Sequence, residues 1–154
     1  MPESLVIADT SCLILLSKVD ELAILKLNYK RILITPEVAG EFNQELPDWI
    51  EVIGVKDRGL QLLLQDSLDL GESTALALAI ETDNATVILD DLKARKLAQK
   101  LGLKITGTIG VIIKAKLRGN IPSAKAILNK ILSTDFRINS KTVEEAIKLA
   151  GESP

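Results

Sequence analysis

Acidic side chains directly follow two of the apolar segments that the sequence predicts as strands. Asp9 comes after residues 5–8, and Asp90 and Asp91 come after residues 86–89. The carboxyl ends of parallel strands meet at one edge of an open α/β sheet, and ligands bind outside that edge. We therefore expect these three carboxylates to lie close together in the folded protein.

Two glutamates belong to predicted helices close to these strands. Glu72 lies in the first turn of its helix, and Glu41 lies late in the helix that begins at Pro36. The predicted topology allows Glu72 to lie at the same edge of the sheet as the strand acids. It does not by itself bring Glu41 there. Each acid has a structural interpretation, because Asp is a favoured helix cap and acids suit the first turn of a helix.

Taken together, the acids predict a site for a divalent metal ion. Carboxylates within a few ångströms of one another repel and raise each other's pKa values, and a bound cation relieves that repulsion. Oxygen ligands without His or Cys favour Mg²⁺ or Mn²⁺. Such a site suits hydrolysis of a phosphodiester, in which metal lowers the pKa of a bound water and neutralises charge on the phosphoryl oxygens.

The residue types that are missing narrow the chemistry further. The sequence of 154 residues contains no His and a single Cys, Cys12. This excludes histidine acid–base catalysis and the Ser-His-Asp and Cys-His mechanisms. It also leaves too few ligands for an ordinary zinc site. Cys12 lies in an apolar run, so we expect a buried thiol.

The overall composition is that of one globular domain. Apolar residues make up 47% of the chain and charged residues 26%, which fits a folded, soluble protein. The net charge of −2 neither demands nor excludes a nucleic acid. We see no basic segment of a secretory signal and no apolar run near the ~18 residues of a membrane span. The cytoplasm is the expected location.

Predicted strands and helices alternate along the chain. This alternation predicts an α/β fold with parallel pairing, right-handed crossovers and helices on both faces of the sheet. The last two helices, 124–132 and 141–150, lie beyond the last strand, where they would cover the sheet or form a surface for an oligomer or a partner. The strands are predicted at 5–8, 31–34, 49–53, 86–89 and 104–106, and the helices at 10–18, 20–27, 36–44, 60–65, 70–80, 92–101, 108–117, 124–132 and 141–150.

Five short segments together resemble the motifs of PIN domains, which are metal-dependent nucleases of FEN-like architecture. The order and spacing of the segments carry the resemblance, and the last of them resembles a poorly characterised prokaryotic subgroup related to toxin–antitoxin ribonucleases. The resemblance implies a three-layer α/β/α fold with a central, mainly parallel sheet. It also implies one domain over 1–154, with the last two helices (about 122–150) as a C-terminal extension. The segments are 6–11, 36–42, 70–79, 88–95 and 106–111.

The resemblance also implies roles for individual residues. Glu72 stands where the family usually has Asp, and its side chain is one methylene longer. Small hydroxyl side chains match positions that line the family's pocket, and they could hold water or phosphate. The implied catalytic acids are Asp9, Glu41, Glu72 and Asp91, the implied metal ligands are Asp9, Glu72, Asp90 and Asp91, and the hydroxyl positions are Thr10, Ser11 and Thr108.

The activity implied by the resemblance is Mg²⁺- or Mn²⁺-dependent endonucleolytic hydrolysis of RNA. The protein would be the toxin of a toxin–antitoxin pair, silenced by a small antitoxin-like protein, and would form a homodimer. The alternative is a catalytically weak or inactive PIN-like module that binds RNA or protein, and Glu72 gives that alternative some weight. Basic side chains are candidates for contacts with RNA phosphates: Lys93, Arg95, Lys114 and Arg118.

Other α/β folds with acidic sites fit less well. A receiver domain needs an acidic pair after the first strand, but Thr10 and Ser11 follow Asp9. A phosphatase of the haloacid-dehalogenase type needs a second Asp where Ser11 stands. A dinucleotide-binding fold needs glycines in the first turn, and that turn has none.

Overall fold

The computed structural model describes residues 3–153, and in that range five strands form one parallel sheet. The spatial order is β3-β2-β1-β4-β5. The first strand pairs with β2 on one side and β4 on the other, so the chain leaves the centre of the sheet at Asp9. The strands are β1 (Glu3–Ala8), β2 (Tyr29–Ile34), β3 (Ile50–Val52), β4 (Thr86–Ile88) and β5 (Lys104–Thr106).

Helices join consecutive strands and cover both faces of the sheet, which confirms the predicted three-layer α/β architecture. Between residues 3 and 153, no helix combines the length and the apolar character that crossing a membrane requires. The helices are α1 (Thr10–Lys18), α2 (Ile24–Asn28), α3 (Pro36–Phe42), α4 (Arg58–Gln65), α5 (Leu70–Ile80), α6 (Leu92–Lys100), α7 (Thr108–Leu117), α8 (Ala124–Leu132) and α9 (Ser140–Leu149).

Two hydrophobic cores lie on opposite faces of the sheet. Successive side chains of a strand point to opposite faces, so Val6 and Ala8 of β1 belong to one core and Ile7 belongs to the other. The first core also contains Leu128 of α8 and Ile147 of α9. The last two helices are therefore integrated into the main core.

The second helix was predicted at 20–27, and the predicted position of its first residue was wrong. Asp20 adopts a left-handed conformation with φ of 58°, and the N–H of Glu21 donates to the carbonyl of Leu16 at 2.8 Å. These features end α1 and direct the chain through a turn. The next helix, α2, therefore begins only at Ile24.

The sequence predicts the last helix at 141–150 with Ser140 as its cap, and this cap was wrong by one residue. Asn139 is the N-cap of α9, and its Oδ1 accepts from the backbone N–H of Lys141 at 2.8 Å. Ser140 is instead the first residue of the helix. Asn and Ser are both favoured caps, and the extended backbone conformation at Asn139 places the cap there.

Candidate active site

Three neighbouring strands end at the same level and place their following turns side by side. In the sheet register, Ala8 pairs with Ile88, and Ile88 pairs with Thr106. Because the strands are parallel, the turns after β1, β4 and β5 leave the same edge. This register brings the acids that follow β1 and β4 to the start of α7.

Asp9 is the most buried of the acids, with 2% of its surface exposed. It caps α1, and its Oδ1 accepts from the N–H of Cys12 at 2.9 Å. Burial raises the pKa of Asp9 to about 8, and repulsion from Asp90 and Glu72 acts in the same direction. Hydrogen bonds from the backbone of Cys12 and Asp90 oppose this rise but do not cancel it. The fold therefore holds a carboxyl group where its ionised form is poorly solvated.

Asp90 is held in place by the first residue of α7. The N–H of Thr108 donates to Asp90 Oδ1 at 2.8 Å, and the Thr108 hydroxyl donates to Oδ2 at 2.6 Å. Thr108 is itself 1% exposed, so the donors of these two partly buried hydrogen bonds lie inside the fold. The predicted pocket hydroxyl at Thr108 thus lies at the acidic edge, where it orients a neighbouring carboxylate.

Glu41 reaches the same edge from α3, which the topology alone did not predict. The hydroxyl of Thr10 donates to Glu41 Oε1 at 2.6 Å. A Cβ atom at Gly71 would collide with the Glu41 carboxylate and approach Thr10 Oγ1 to 3.0 Å. The absence of a side chain at Gly71 therefore lets α3 place Glu41 against the start of α5.

Glu72 connects Glu41 with the acids that follow β4. Its backbone N–H donates to Oδ1 of Asp69, the N-cap of α5, at 2.8 Å. Partial burial raises the pKa of Glu72 to about 7, and repulsion from Asp69, Asp91 and Glu41 adds to the effect. Asp69 is therefore a further acid of the cluster, although the sequence indicated only a helix cap there.

Asp91 lies at the exposed side of the cluster. It caps α6, and its Oδ2 accepts from the N–H of Ala94 at 3.0 Å. The structural interpretation of Asp9 and Asp91 as helix caps is thus correct. Both also belong to the acidic cluster, because Asp9 and Asp90 interact electrostatically and so do Asp91 and Glu72.

The donor set has the chemistry of a divalent metal site, although the side chains are not gathered around one point. Among the side chains described, residues 5–153, no three acidic or cysteine side chains are placed closely enough to bind a single ion. The ion pairs described in this range join lysines and arginines to acidic side chains outside the cluster. A cation would relieve the mutual repulsion that raises the pKa values of Asp9 and Glu72. Carboxylate side chains would have to rotate to complete its ligand shell.

The remaining predicted hydroxyl, Ser11, is exposed at the start of α1 and lines a separate cavity. That cavity measures about 240 Å³ and is also lined by Lys18 and Phe136. The described hydrogen bonds of the acidic cluster involve Thr10 and Thr108 instead.

The four predicted basic residues divide into two pairs. Lys93 and Arg95 lie on α6 just beyond Asp91, and Arg95 Nη1 donates to the carbonyl of Leu89 at 2.8 Å. These two residues are therefore next to the acidic cluster.

Lys114 and Arg118 lie near the opposite end of the sheet. Lys114 Nζ is 5.7 Å from the centre of the Tyr29 ring, and Arg118 Nη1 donates to the carbonyl of Asn28 at 3.1 Å. Tyr29 begins β2, whose other end faces the acids. Because α7 starts at the acidic edge and rises about 1.5 Å per residue, its last turn is far from that edge. The structure does not bring this pair to the site.

We expect the metal-free protein to become less stable as pH rises between the unfolded and folded pKa values of Asp9. These values are 3.8 for the ordinary side chain and about 8 in the fold. In this window the folded state keeps a proton that the unfolded chain has released, so the free energy of unfolding falls with increasing pH. Melting temperatures of EDTA-treated protein across the window would measure the slope. The variant Asp9→Asn should flatten it, and an unchanged slope in the variant would contradict the assignment.

Comparison with known proteins supports the family resemblance seen in the sequence. A family model described as a PIN domain matches residues 5–152. This range includes all the acids of the cluster and the last two helices, α8 and α9. Neither the curated proteins nor the solved structures gave a significant match.

Proposed function

The chain belongs to the PIN-domain family, and on that premise we propose that it is a metal-dependent endoribonuclease. The family has a nuclease-type fold, and the proposal adds the metal, the RNA substrate and the residues involved. One observation carries it: five acids of the cluster, from four separate elements, lie along the carboxyl edge of the sheet. They are Asp9, Glu41, Glu72, Asp90 and Asp91.

Asp9, Glu72 and Asp91 would bind the metal ion, with Asp90 as a further ligand and Glu41 completing the acidic pocket. A bound divalent cation would lower the pKa of a water molecule and neutralise charge on the phosphoryl oxygens, so no protein base is needed. The ligands must be ionised to bind it. Since burial and repulsion favour the protonated forms of Asp9 and Glu72, protons compete with the metal.

Two hydroxyl groups hold the outer acids of the cluster in orientation. Thr10 donates to Glu41, and Thr108 donates to Asp90. Partners of this kind fix the direction of metal-binding carboxylates, and their loss typically reduces metal affinity or activity by about 10- to 100-fold. We assign Thr10 and Thr108 this positioning role.

The RNA backbone would approach this edge near the start of α6. Lys93 is exposed and Arg95 is half-buried on that helix, and both carry positive charge beside a strongly negative site. Phosphate groups need such cations for non-specific affinity. We propose these two residues as RNA contacts. Lys114 and Arg118 are engaged at the other end of the sheet.

A cleavage assay tests the proposed function directly. Purified protein is incubated with single-stranded RNA and, separately, with DNA of the same sequence, in Mg²⁺, in Mn²⁺ and in EDTA. We expect internal cleavage of RNA with either metal and none in EDTA. Equal cleavage of DNA would contradict the assignment to RNA. If folded protein cut neither strand in either metal, the alternative of an inactive RNA- or protein-binding module would replace the proposal.

The toxin role, the antitoxin-like partner and the homodimer stay predictions from the family resemblance. A mass measurement in solution would test the dimer. Growth arrest on expression of the wild-type chain, relieved in Asp9→Asn, would support the toxin role, and equal growth of both strains would contradict it.

A further inference from the structure

A cleft of about 450 Å³ opens on the β5 side of the acidic cluster. This volume falls in the range of small-molecule sites, about 300–1,000 Å³. The walls come from α6, β5, α7 and α9, so the C-terminal extension contributes to them. The lining residues are Asp90, Arg95, Ile105, Thr106, Gly107, Ile109, Gly110 and Thr142.

Arg95 is the basic side chain of this cleft. Its Nη1 donates to the carbonyl of Leu89, the residue after β4. A guanidinium group has five N–H donors in a rigid plane, and this bond uses one of them. The hydrogen bond thus fixes the position of the positive charge while leaving donors that can face the cleft.

Gly107 lets Arg95 and Asp90 approach the same point. A Cβ atom there would lie 3.0 Å from Arg95 Nη1 and 3.1 Å from Asp90 Oδ1. Both oxygens of Asp90 accept from Thr108, so this carboxylate is already engaged by the protein. Thr108 thus orients Asp90 toward the start of α7, and an anionic ligand in the cleft would contact Arg95, which is the cation among the lining residues.

The remaining walls combine apolar and hydroxyl groups. Ile105 and Ile109 supply apolar surface, and Thr106 and Thr142 supply hydroxyls. A nucleotide presents the matching set: a flat base, hydroxyls on the ribose and an anionic phosphate. Because Asp90 belongs to both the cleft and the acidic cluster, a nucleotide bound here would adjoin the position where a phosphodiester is cut.

We propose that this cleft binds the nucleotide next to the scissile phosphate of a single-stranded RNA, with Arg95 contacting its phosphate. The inference rests on the proposed function, because the acidic cluster defines where the scissile bond lies. It adds a substrate subsite on the β5 side and gives α9 a part in substrate binding. Proteins recognise single-stranded RNA through such pockets for splayed nucleotides.

The first test fills the cleft from its exposed rim. Thr142 is exposed on α9, so Thr142→Trp should fold normally while occluding the cavity. The matched control is Glu144→Trp, which is also exposed and points about 200° away around the helix. Binding of a short single-stranded oligoribonucleotide is measured in EDTA, where no cleavage occurs. We expect Thr142→Trp to weaken binding by about tenfold or more and Glu144→Trp to leave it unchanged.

The second test measures the phosphate contact. Arg95→Gln should reduce the slope of log Kd against log salt by about 0.7, the value for one phosphate of a single strand. Lys96→Gln, at an exposed neighbouring position, is the control. Circular dichroism and melting temperature establish that each variant is folded.

The outcomes separate this inference from the proposed function. If RNA is cleaved in metal but Thr142→Trp and Arg95→Gln bind like wild type, the cleft inference is overturned while the nuclease remains. If binding depends on the cleft but no cleavage occurs, the subsite is supported and the nuclease is not. If the wild-type protein binds no RNA in EDTA at concentrations that support cleavage in metal, the cleft inference also fails.

Discussion

Replacement of Asp9 by asparagine should reduce RNA cleavage at least about 100-fold and leave the fold intact. Asp9 lies at the end of the central strand and interacts electrostatically with both Asp90 and Glu72. An amide cannot supply the negative charge that a divalent cation requires, and even partners behind metal ligands typically matter about 10- to 100-fold. The side-chain oxygen of Asn still caps a helix, so the hydrogen bond from Cys12 is retained.

The matched control is Asp57→Asn, which makes the same change at another helix cap. Asp57 caps α4 and accepts from the N–H of Leu60 at 3.0 Å. Its own N–H donates to Glu81 at the C-terminal end of α5, whereas the acids lie at the start of that helix. Single-turnover cleavage should be unaffected by Asp57→Asn. A wild-type cleavage rate in folded Asp9→Asn would contradict the proposed active site.

Mg²⁺ or Mn²⁺ should raise the melting temperature of the EDTA-treated wild-type protein. A ligand that binds only the folded state, present at about 100 times its Kd, adds about 2.7 kcal/mol to the free energy of unfolding. For a domain of this size that corresponds to roughly 5–10 °C. The physical source of the effect is the relief of repulsion among carboxylates that the fold holds together.

The same two variants control this measurement. Asp9→Asn should remove most of the metal-induced rise, and Asp57→Asn should preserve it. A rise of equal size in all three proteins would indicate metal binding away from the cluster. No rise in the wild type would indicate that the acids have a structural role alone and would remove the basis for metal-dependent hydrolysis.

Much of the architecture follows from local features of the sequence. Apolar runs such as residues 31–34, separated by helical segments, predict a parallel sheet covered on both faces, because each buried run requires an apolar partner layer. Asp9, Asp69 and Asp91 were readable as helix caps, since capping depends on residues only three positions apart. The structure bears out all three. The β1 and β4 acids were also predicted to converge, because the direction of parallel strands fixes which edge they leave.

The tertiary structure alone decided which side chains meet across long separations in the chain. Thr10 and Glu41 are 31 residues apart, and Asp90 and Thr108 are 18 apart. Their contacts depend on how α3 and α7 pack, which no local pattern encodes. Packing also decided where Lys114 and Arg118 lie. Their spacing of four residues predicts that they share a helix face, but it does not predict which end of the sheet that face reaches.

The sequence by itself determined the elements, their order and the chemical type of the site, because propensity, capping and strand direction are local properties. It did not determine the cleft beside Asp90, whose walls include Arg95 and Thr142, 47 residues apart in the sequence. That cavity exists because α9 packs against α7. Packing angles arise from the fit of many side chains at once, and a change of a few degrees opens or closes such a space.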